Sequence, residues 1–504
     1  MTGAGATLGS LGLDTMTHAG PAPDAATRVA GLAVDSRLVR DGFVFVAVPG
    51  TKLDGAEFAQ YAVRQGAVAV VCTPEGLETA KRDIGTLPVP FLITTSPRAE
   101  LARLAATFHG AQPETMVAIT GTNGKTSVAH FTRQIWTALG HAAAAFGTTG
   151  VEGEGFEEPL AMTTPEPIML HGLLARLAGK GCTHAAMEAS SHGLAQHRLD
   201  GVRLTAAALT NITRDHMDYH KDHDDYVGAK MRLFHEVLPH AGTAVLNADD
   251  PVFALARMAS PGRRVISVGR NPDAALRLVD TRYRADGQDI SFTWAGQDHE
   301  ASLGLIGGFQ ADNVLLAAGL AIACGDEATA VFGALSGLTG VRGRMERAAT
   351  RANGATAYVD YAHTPDALKT ALAALRPHVE GRLIVVGGAG GDRDPGKRPL
   401  MGLAMAEGAD AVIVTDDNPR SEDPAAIRAA VMEGAPQADN IGDRAEAILS
   451  GVDMLRAPGD CLLIAGKGHE QGQEVGDTVL PFDDVSQAKA AVAALDGLEE
   501  ELAS

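Results

Sequence analysis

Short apolar runs that stop abruptly at polar, glycine-rich turns recur along most of this chain. In the first third they are FVFVAV (43–48), AVAVVC (67–72) and PFLITT (90–95), with helix-compatible segments between them. That pattern predicts a small α/β domain. PRAELARLAATFHG (97–110) is spaced as a helix and leads through Gln112-Pro113 into a new strand. From residue 116 the runs end in chemically loaded turns: MVAIT enters GTNGKTS, HAAMEA enters SSHG, TAAALT enters NITRDHMDYH, and TAVLN enters ADD. The last third repeats the habit, with TAYVDY before AHTP, RLIVVGG before AGGDRDPGKR, AVIVTD before DNPR and CLLIAG before KGHEQG. Strand, loop, helix, strand predicts a mostly parallel sheet covered on both faces, with ligands outside the carboxyl ends of its strands.

The segment LTGVRGRMERAATRANG (338–354), rich in Gly and Arg, separates two such patterns and sets a boundary near 345. A chain of 504 residues is too long for one core, and size alone predicts roughly three domains. Residues 1 to about 25 are expected to be loosely ordered.

A net charge of −20 argues against non-specific nucleic-acid binding, because phosphate backbones want a basic face. It leaves room for a local basic pocket. Cys72, Cys182, Cys324 and Cys461 form no C-x-x-C, so reduced thiols in a cytoplasm are expected. The N-terminal stretch lacks a basic region followed by an apolar core, and no run of about 18 apolar residues exists, so neither a signal peptide nor a membrane span is expected. Monomer is the default expectation.

Two stretches compete as phosphate loops. AITGTNGKTS (118–127) has a shortened G-x-x-G-K-T spacing, but it lies between a strand and a helix, as a phosphate loop must. Amides of Gly121, Thr122, Asn123 and Gly124 and the helix start, including Ser127, are expected to face an anion. Lys125 would reach the β/γ-phosphates of a nucleotide, and the Thr126 hydroxyl would ligate Mg²⁺. GDRDPGKR (391–398) has the full G-x-x-x-x-G-K spacing but places Arg398 where a hydroxyl is needed. With Arg393, Lys397 and Arg398 it reads as a basic loop for a carboxylate or phosphate on another ligand, or as a solvated charged loop.

Other strand ends carry candidates. Glu188 in AMEASSHG is either a second Mg²⁺ ligand or a buried structural acid, and His216 in TRDHMDYH is either a metal ligand or an ordinary histidine. Lys230 in YVGAKMRLF is helical, where a lysine by default faces solvent. Asn313 in GGFQADNVLLAAG reads as a helix cap, and Asp360 in VDYAHTPDAL, with His363, as a turn-forming acid at a strand end.

TGTNGKTS, MEASSHGLAQHR, NITRDHMDYH, GRMER, VDYAHTPDAL, GGDRDPGKRPLMG, TDDNPR and AGKGHE occur in this order. Together they resemble the Mur ligase family of ATP-dependent amide-bond-forming ligases, from VDSR (34–37) to near the C-terminus. The resemblance implies an α/β protein of three domains: 1–112 for the UDP substrate, 113–345 as a central P-loop ATPase-like parallel sheet for ATP, and 346–504 as a Rossmann-like α/β domain for the incoming amino acid. It implies that Val34, Ser36, Thr51, Lys52 and Leu53 touch the UDP end. Thr163, Thr164, Ser190, Gln196 and Arg198 would hold the sugar-peptide, with Met162 where Asn is frequent. Lys230 matches a lysine that is carbamylated in the family, which would make it an anion able to join Thr126, Glu188 and His216 around Mg²⁺. Asn313 and Arg344 match nucleotide contacts, with Gln310 where Asn is frequent.

Within the family the likeness is to the branch that adds meso-diaminopimelate to the D-Glu γ-carboxylate of UDP-N-acetylmuramoyl-L-Ala-D-Glu in peptidoglycan synthesis. Asp417, Asn418, Pro419 and Arg420 would select the acceptor. Arg420 would pair bidentately with its second carboxylate, Arg393 and Gly466 would complete the pocket, and Glu470 would take the distal ammonium. The implied chemistry is an acyl phosphate attacked by the acceptor amine. The rivals are a lysine-adding Mur ligase, a folylpolyglutamate synthetase-like ligase, and a non-catalytic nucleotide-binding switch.

Overall fold

A computed structural model of the protein describes residues 5–50, 53–213, 215–217 and 219–497. The chain divides into two compact units, Met1–Ala274 with Leu316–Ala328, and Ala275–Leu315 with Thr329–Ser504.

The first unit contains two sheets. The smaller has the order His18–Ala19, Phe91–Ile93, Ala67–Cys72, Phe43–Val46, Gly31–Ala33, parallel except at its first strand. Three of the apolar runs are therefore strands, and 97–110 contains the helix Pro97–His109. The expected loose order of residues 1 to about 25 is corrected for the described ones. Leu8, Leu11 and Leu13 are fully buried against Val44, Leu92 and Leu104, so apolar burial holds this glycine-rich segment down.

The larger sheet of this unit runs Arg264–Gly269, Thr243–Asn247, Ala206–Leu209, Thr115–Thr120, His184–Glu188, Ala143–Gly147, all parallel, with Gly150–Glu152 antiparallel at the end. Its strands are near-continuous apolar runs because both faces are covered. Met116, Ala185, Met187, Leu209 and Leu246 pack with Leu170, Leu173, Leu174, Tyr226 and Phe234. Thr115–Thr120 pairs with both Ala206–Leu209 and His184–Glu188 in register, so the turns after these three strands emerge side by side.

The second unit carries an antiparallel meander, Leu276–Arg284, Gly287–Trp294 and Gln297–Leu303, which apolar-run reasoning did not foresee. Its second turn has positive φ at Ala295 (51°) and Gly296 (77°), as a two-residue hairpin requires. The main sheet of this unit has the order Glu346–Thr350, Thr356–Asp360, Cys461–Ala465, Leu383–Gly387, Ala411–Val414, Asp439–Asn440, parallel except for the first pair. It lies between two apolar cores. A hairpin, Gly472–Val475 with Thr478–Pro481, follows. Among the described residues no helix is long and apolar enough to cross a membrane.

Candidate active site

The turn after Thr115–Thr120 leads into the helix Lys125–Ala138, with Gly124 at its cap in the left-handed region (φ 84°). Gly121 has φ 148°, and a methyl there would lie 1.8 Å from Thr210 Oγ1, so the turn demands glycine. The turn after Ala206–Leu209 holds the loop in place. Thr122 N–H donates to Asn211 O (2.7 Å), Asn123 N–H to Asn211 Oδ1 (3.0 Å), and Thr210 Oγ1 donates to Asn123 O (2.6 Å). This differs from the expectation for two of the four amides: those of Thr122 and Asn123 are already bonded to Asn211, and the helix starts only after Gly124. Lys125 Nζ folds back to donate to the carbonyls of Gly121 (3.0 Å) and Thr122 (2.8 Å). Ser127 is buried on the first helical turn.

Glu188 ends its strand and is 2% exposed. Its Oε1 accepts from Thr126 Oγ1 (3.0 Å) and from Thr148 N–H (2.8 Å), and its Oε2 from Thr148 Oγ1 (3.2 Å). A methyl on Gly147 would meet Glu188 Oε1 at 2.2 Å, so the carboxylate fills the space that glycine leaves. Thr148 Oγ1 also shares a hydrogen bond with Thr163 Oγ1 (3.1 Å). Thr164 Oγ1 donates to Glu188 O (2.9 Å) and accepts from Ser190 N–H (3.0 Å). Ser190 caps the short helix Ser191–Ala195. Arg198 Nη1 donates to Thr164 O (2.7 Å) and to the Met162 sulfur (3.2 Å), while Nε and Nη2 bond to Gln196 Oε1. Gln196 Nε2 in turn donates to Tyr219 Oη (2.9 Å). One connected network thus links the sugar-peptide candidates to Glu188 and Thr126.

Lys230, on the helix His223–Arg232, is 1% exposed, which overturns the solvent-facing default. Its Nζ donates to Gly121 O (2.7 Å) and lies 4.6 Å from the centre of the Tyr226 ring. Burial, with the Lys125 charge nearby, pushes its pKa well below the usual lysine value, which favours the neutral amine. Tyr226 Oη meets Thr122 Oγ1 at 3.0 Å. His216 has a positive φ (55°), lies 3.4 Å from Asp215 Oδ2 and has its ring 4.9 Å from that of His192. Among the described residues no group of three or more His, Cys, Asp or Glu is placed to hold a metal. The Thr126–Glu188 oxygen pair nonetheless suits Mg²⁺, which keeps several waters and phosphate oxygens in its shell and takes only one or two protein oxygens.

In the smaller sheet, Val34 packs against the apolar core that holds Leu8, Leu104 and Ala105, Ser36 is buried at the start of a single helical turn capped by Asp35, and Leu53 is exposed. Thr51 and Lys52 lie outside the described residues.

The second unit holds the remaining candidates. Asn313 is the fifth residue of the helix Phe309–Ala323, buried, and donates to Gln310 Oε1 (3.1 Å). The cap reading is therefore wrong, because the helix begins one turn earlier than its apolar stretch suggests. The Arg344 guanidinium lies over the Tyr361 ring (4.5 Å). Asp360 accepts from the amides of Ala362 and Met345, and burial raises its pKa although Arg344 opposes the shift. The basic character expected of GDRDPGKR is largely absorbed internally. Arg398 is 6% exposed and its Nη2 reaches both oxygens of Glu422 (2.7 and 2.9 Å), while Lys397 Nζ donates to His363 O (3.2 Å). Arg393 is left on the exposed side of the loop.

Asn418 and Arg420 both have positive φ (44° and 51°), so Pro419 sits on a sharply folded turn. Asn418 Nδ2 donates to Glu470 Oε2 (2.9 Å), and its Oδ1 accepts from Lys467 Nζ (2.8 Å) and Glu474 N–H (3.0 Å). Asp417 Oδ1 lies 3.7 Å from Lys467 Nζ, and a methyl on Gly466 would meet Asp417 Oδ2 at 2.3 Å. Arg420 Nε lies 2.6 Å from Glu474 Oε2. Asp417, Asn418, Arg420, Gly466 and Glu470 are thereby brought together around the turn.

Sequence reasoning missed Tyr226, Thr148, Asn211, Lys467 and Glu474. Lys467 stood in a quoted motif, AGKGHE, and its complete burial was the missing fact. Glu474 carried a weaker signal, the Gly476-Asp477 turn between two alternating runs.

Three successive family models match the chain: the catalytic domain of the Mur ligase family at 28–109, the Mur ligase middle domain at 119–321, and the glutamate ligase domain of Mur ligases at 343–468. The UDP-N-acetylmuramoyl-L-alanyl-D-glutamate–2,6-diaminopimelate ligase of Bradyrhizobium diazoefficiens is 51% identical over 476 residues, covering 93% of this chain and 96% of its own. A solved structure of an enzyme of that name is 31% identical, with TM-score 0.71, covering 97% of this chain and 99% of its own. A MurF ligase from Thermotoga maritima in complex with ADP, 20% identical, shares the fold at TM-score 0.60 over 95% of this chain and 99% of its own.

Proposed function

The chain belongs to the Mur ligase family, and from that premise we infer how its residues perform the reaction of the diaminopimelate-adding branch. It is a ligase that joins meso-2,6-diaminopimelate to the D-Glu γ-carboxylate of UDP-N-acetylmuramoyl-L-Ala-D-Glu, with ATP cleaved to ADP and phosphate. The observation that carries the assignment is the convergence of Thr126, Glu188 and Lys230 on the Gly121–Lys125 turn.

ATP binds with its phosphates at the helix start after Gly124. Lys125 exchanges the carbonyls of Gly121 and Thr122 for phosphate oxygens and stabilises the charge on the transferring group. Thr126, Glu188, His216 and a carbamylated Lys230 would hold Mg²⁺, which would offset phosphate charge. The neutral Lys230 amine favours that modification: it adds to CO₂, loses a proton and becomes an anion. Asn313 and Arg344 take the nucleoside side. Val34, Ser36 and the 51–53 segment take the UDP end. Thr163, Thr164, Ser190, Gln196 and Arg198 hold the sugar-peptide so that its γ-carboxylate meets the γ-phosphate. The carboxylate oxygen forms the new P–O bond as ADP leaves. The diaminopimelate amine then attacks the acyl carbon, phosphate departs, and the amine proton is lost to solvent. Arg393, Arg420 and Glu470 hold the acceptor's far end.

Phosphate release is the test, with ATP, Mg²⁺ and the nucleotide dipeptide, offering meso-diaminopimelate or L-lysine to wild type and Arg420→Ala. Release with diaminopimelate alone, lost in the variant, is the expected result. Equal release with lysine would overturn the role of Arg420, and release independent of any acceptor would point to a nucleotide switch.

A further inference from the structure

Arg420 already holds a carboxylate. Its Nε lies 2.6 Å from Glu474 Oε2, while Nη1 donates to Gly391 O (3.0 Å) and, more weakly, to Asn418 O (3.4 Å). Nη2 donates no hydrogen bond to the protein among the described residues. A carboxylate that engages a guanidinium bidentately needs two neighbouring N–H groups. With Nη1 committed to backbone carbonyls, the pair on offer is Nε with Nη2, and the Glu474 carboxylate lies against that side, ion-paired at Nε.

The placement of Glu474 is built in. Its strand, Gly472–Val475, is stitched to the Asn418–Arg420 turn by the backbone: Arg420 N–H donates to Glu474 O (3.1 Å), and Gly476 N–H to Arg420 O (2.8 Å). Glu474 N–H donates to Asn418 Oδ1 (3.0 Å), the same oxygen that accepts from buried Lys467. The backbone is pinned, but the Glu474 side chain is 45% exposed and can rotate into water.

We propose that Glu474 is an internal competitor for the acceptor's distal carboxylate, so that acceptor binding at Arg420 is an exchange of one carboxylate for another. This rests on the reading of Arg420 given above. Diaminopimelate replaces the Glu474 contact with one of the same kind. Lysine brings no carboxylate, leaves the Arg420–Glu474 pair closed, and gains nothing from Arg420. The competitor thus holds back the affinity for the right acceptor while keeping the guanidinium paired when the site is empty.

The test compares Glu474→Gln and Glu474→Ala with Arg420→Met in full-length enzyme, reading KM and kcat for meso-diaminopimelate and calorimetric binding of it. An exposed ion pair shifts the competent population by a small factor, so KM should fall about two- to fivefold in both Glu474 variants. kcat should move less than KM, and lysine should remain a non-substrate. A general loss of packing cannot lower KM. Unchanged or raised KM in both Glu474 variants, with Arg420→Met still losing acceptor binding, would overturn the competition and leave Arg420 as the reader. Unchanged KM in Arg420→Met would sink the reading of Arg420 itself.

Discussion

The two loops that resemble each other in sequence, Thr120–Ser127 and Gly391–Arg398, have different internal bonding. In the first, a left-handed Gly124 turns the chain into a helix, and the Lys125 ammonium rests on two backbone carbonyls. In the second, Gly396 is right-handed (φ −63°), Arg398 is locked to Glu422, and Lys397 is tied to His363 O. Both end in Gly-Lys, but the spacing before that pair differs, and so does the bonding of the two lysines. An anion is bound by N–H groups that have nothing else to hold.

Exchanging the lysines is the harshest way to break this contrast. Lys125→Ala should lower kcat/KM by about a thousandfold, the scale of losing a charged transition-state donor. Lys397→Ala should lower it by at most about fivefold. Steady-state phosphate release separates them, and comparable losses would make the second loop a phosphate site as well. The glycines give the next largest effect. Gly121→Ala forces a methyl onto Thr210 at a φ of 148° and should destabilise the fold by about 3 kcal/mol. Gly396→Ala meets only Asp394 Oδ1 at 3.2 Å and should stay within about 0.5 kcal/mol. Urea titrations read both.

Acid provides a milder probe. His171, buried on the helix Pro167–Gly179, donates from Nε2 to Asp200 O (3.1 Å), and burial lowers its pKa from 6.5 to about 4. The folded state binds its proton less readily than the unfolded state, so its contribution is present above pH 6.5 and is lost as pH falls towards 4. By about pH 5 the loss should be about 2 kcal/mol. Thermal melts of wild type and His171→Gln check it, since the variant should show a shallower acid slope. A slope unchanged by the substitution would move the acid sensitivity to groups nearer the loops.

Contiguous chemistry was legible in the sequence. TGTNGKTS announced itself because its strand, turn and helix are consecutive, and Glu188 because it ends an apolar run. The parallel strands of both units were legible for the same reason. Lys230 was not, because a helix as polar as HDDYVGAKMR looks solvated until the Gly121 turn covers it. The residue-level resemblance supplied what periodicity could not. The amide bonding of Thr122 and Asn123 was also hidden, since it depends on Asn211 arriving from a strand some ninety positions later. The meander at 276–303 was missed because its alternating, charged strands lack apolar runs, although Ala295-Gly296 marks a hairpin.

The clamp that Asn211 places on the first loop has a calorimetric consequence. A loop bonded to its neighbour through Thr122, Asn123 and Thr210 is ordered before any nucleotide arrives. Filling it then freezes no local backbone, and the heat-capacity change at that loop should lack the large negative contribution of folding coupled to binding. The temperature dependence of the binding enthalpy would instead report the apolar area that the base covers.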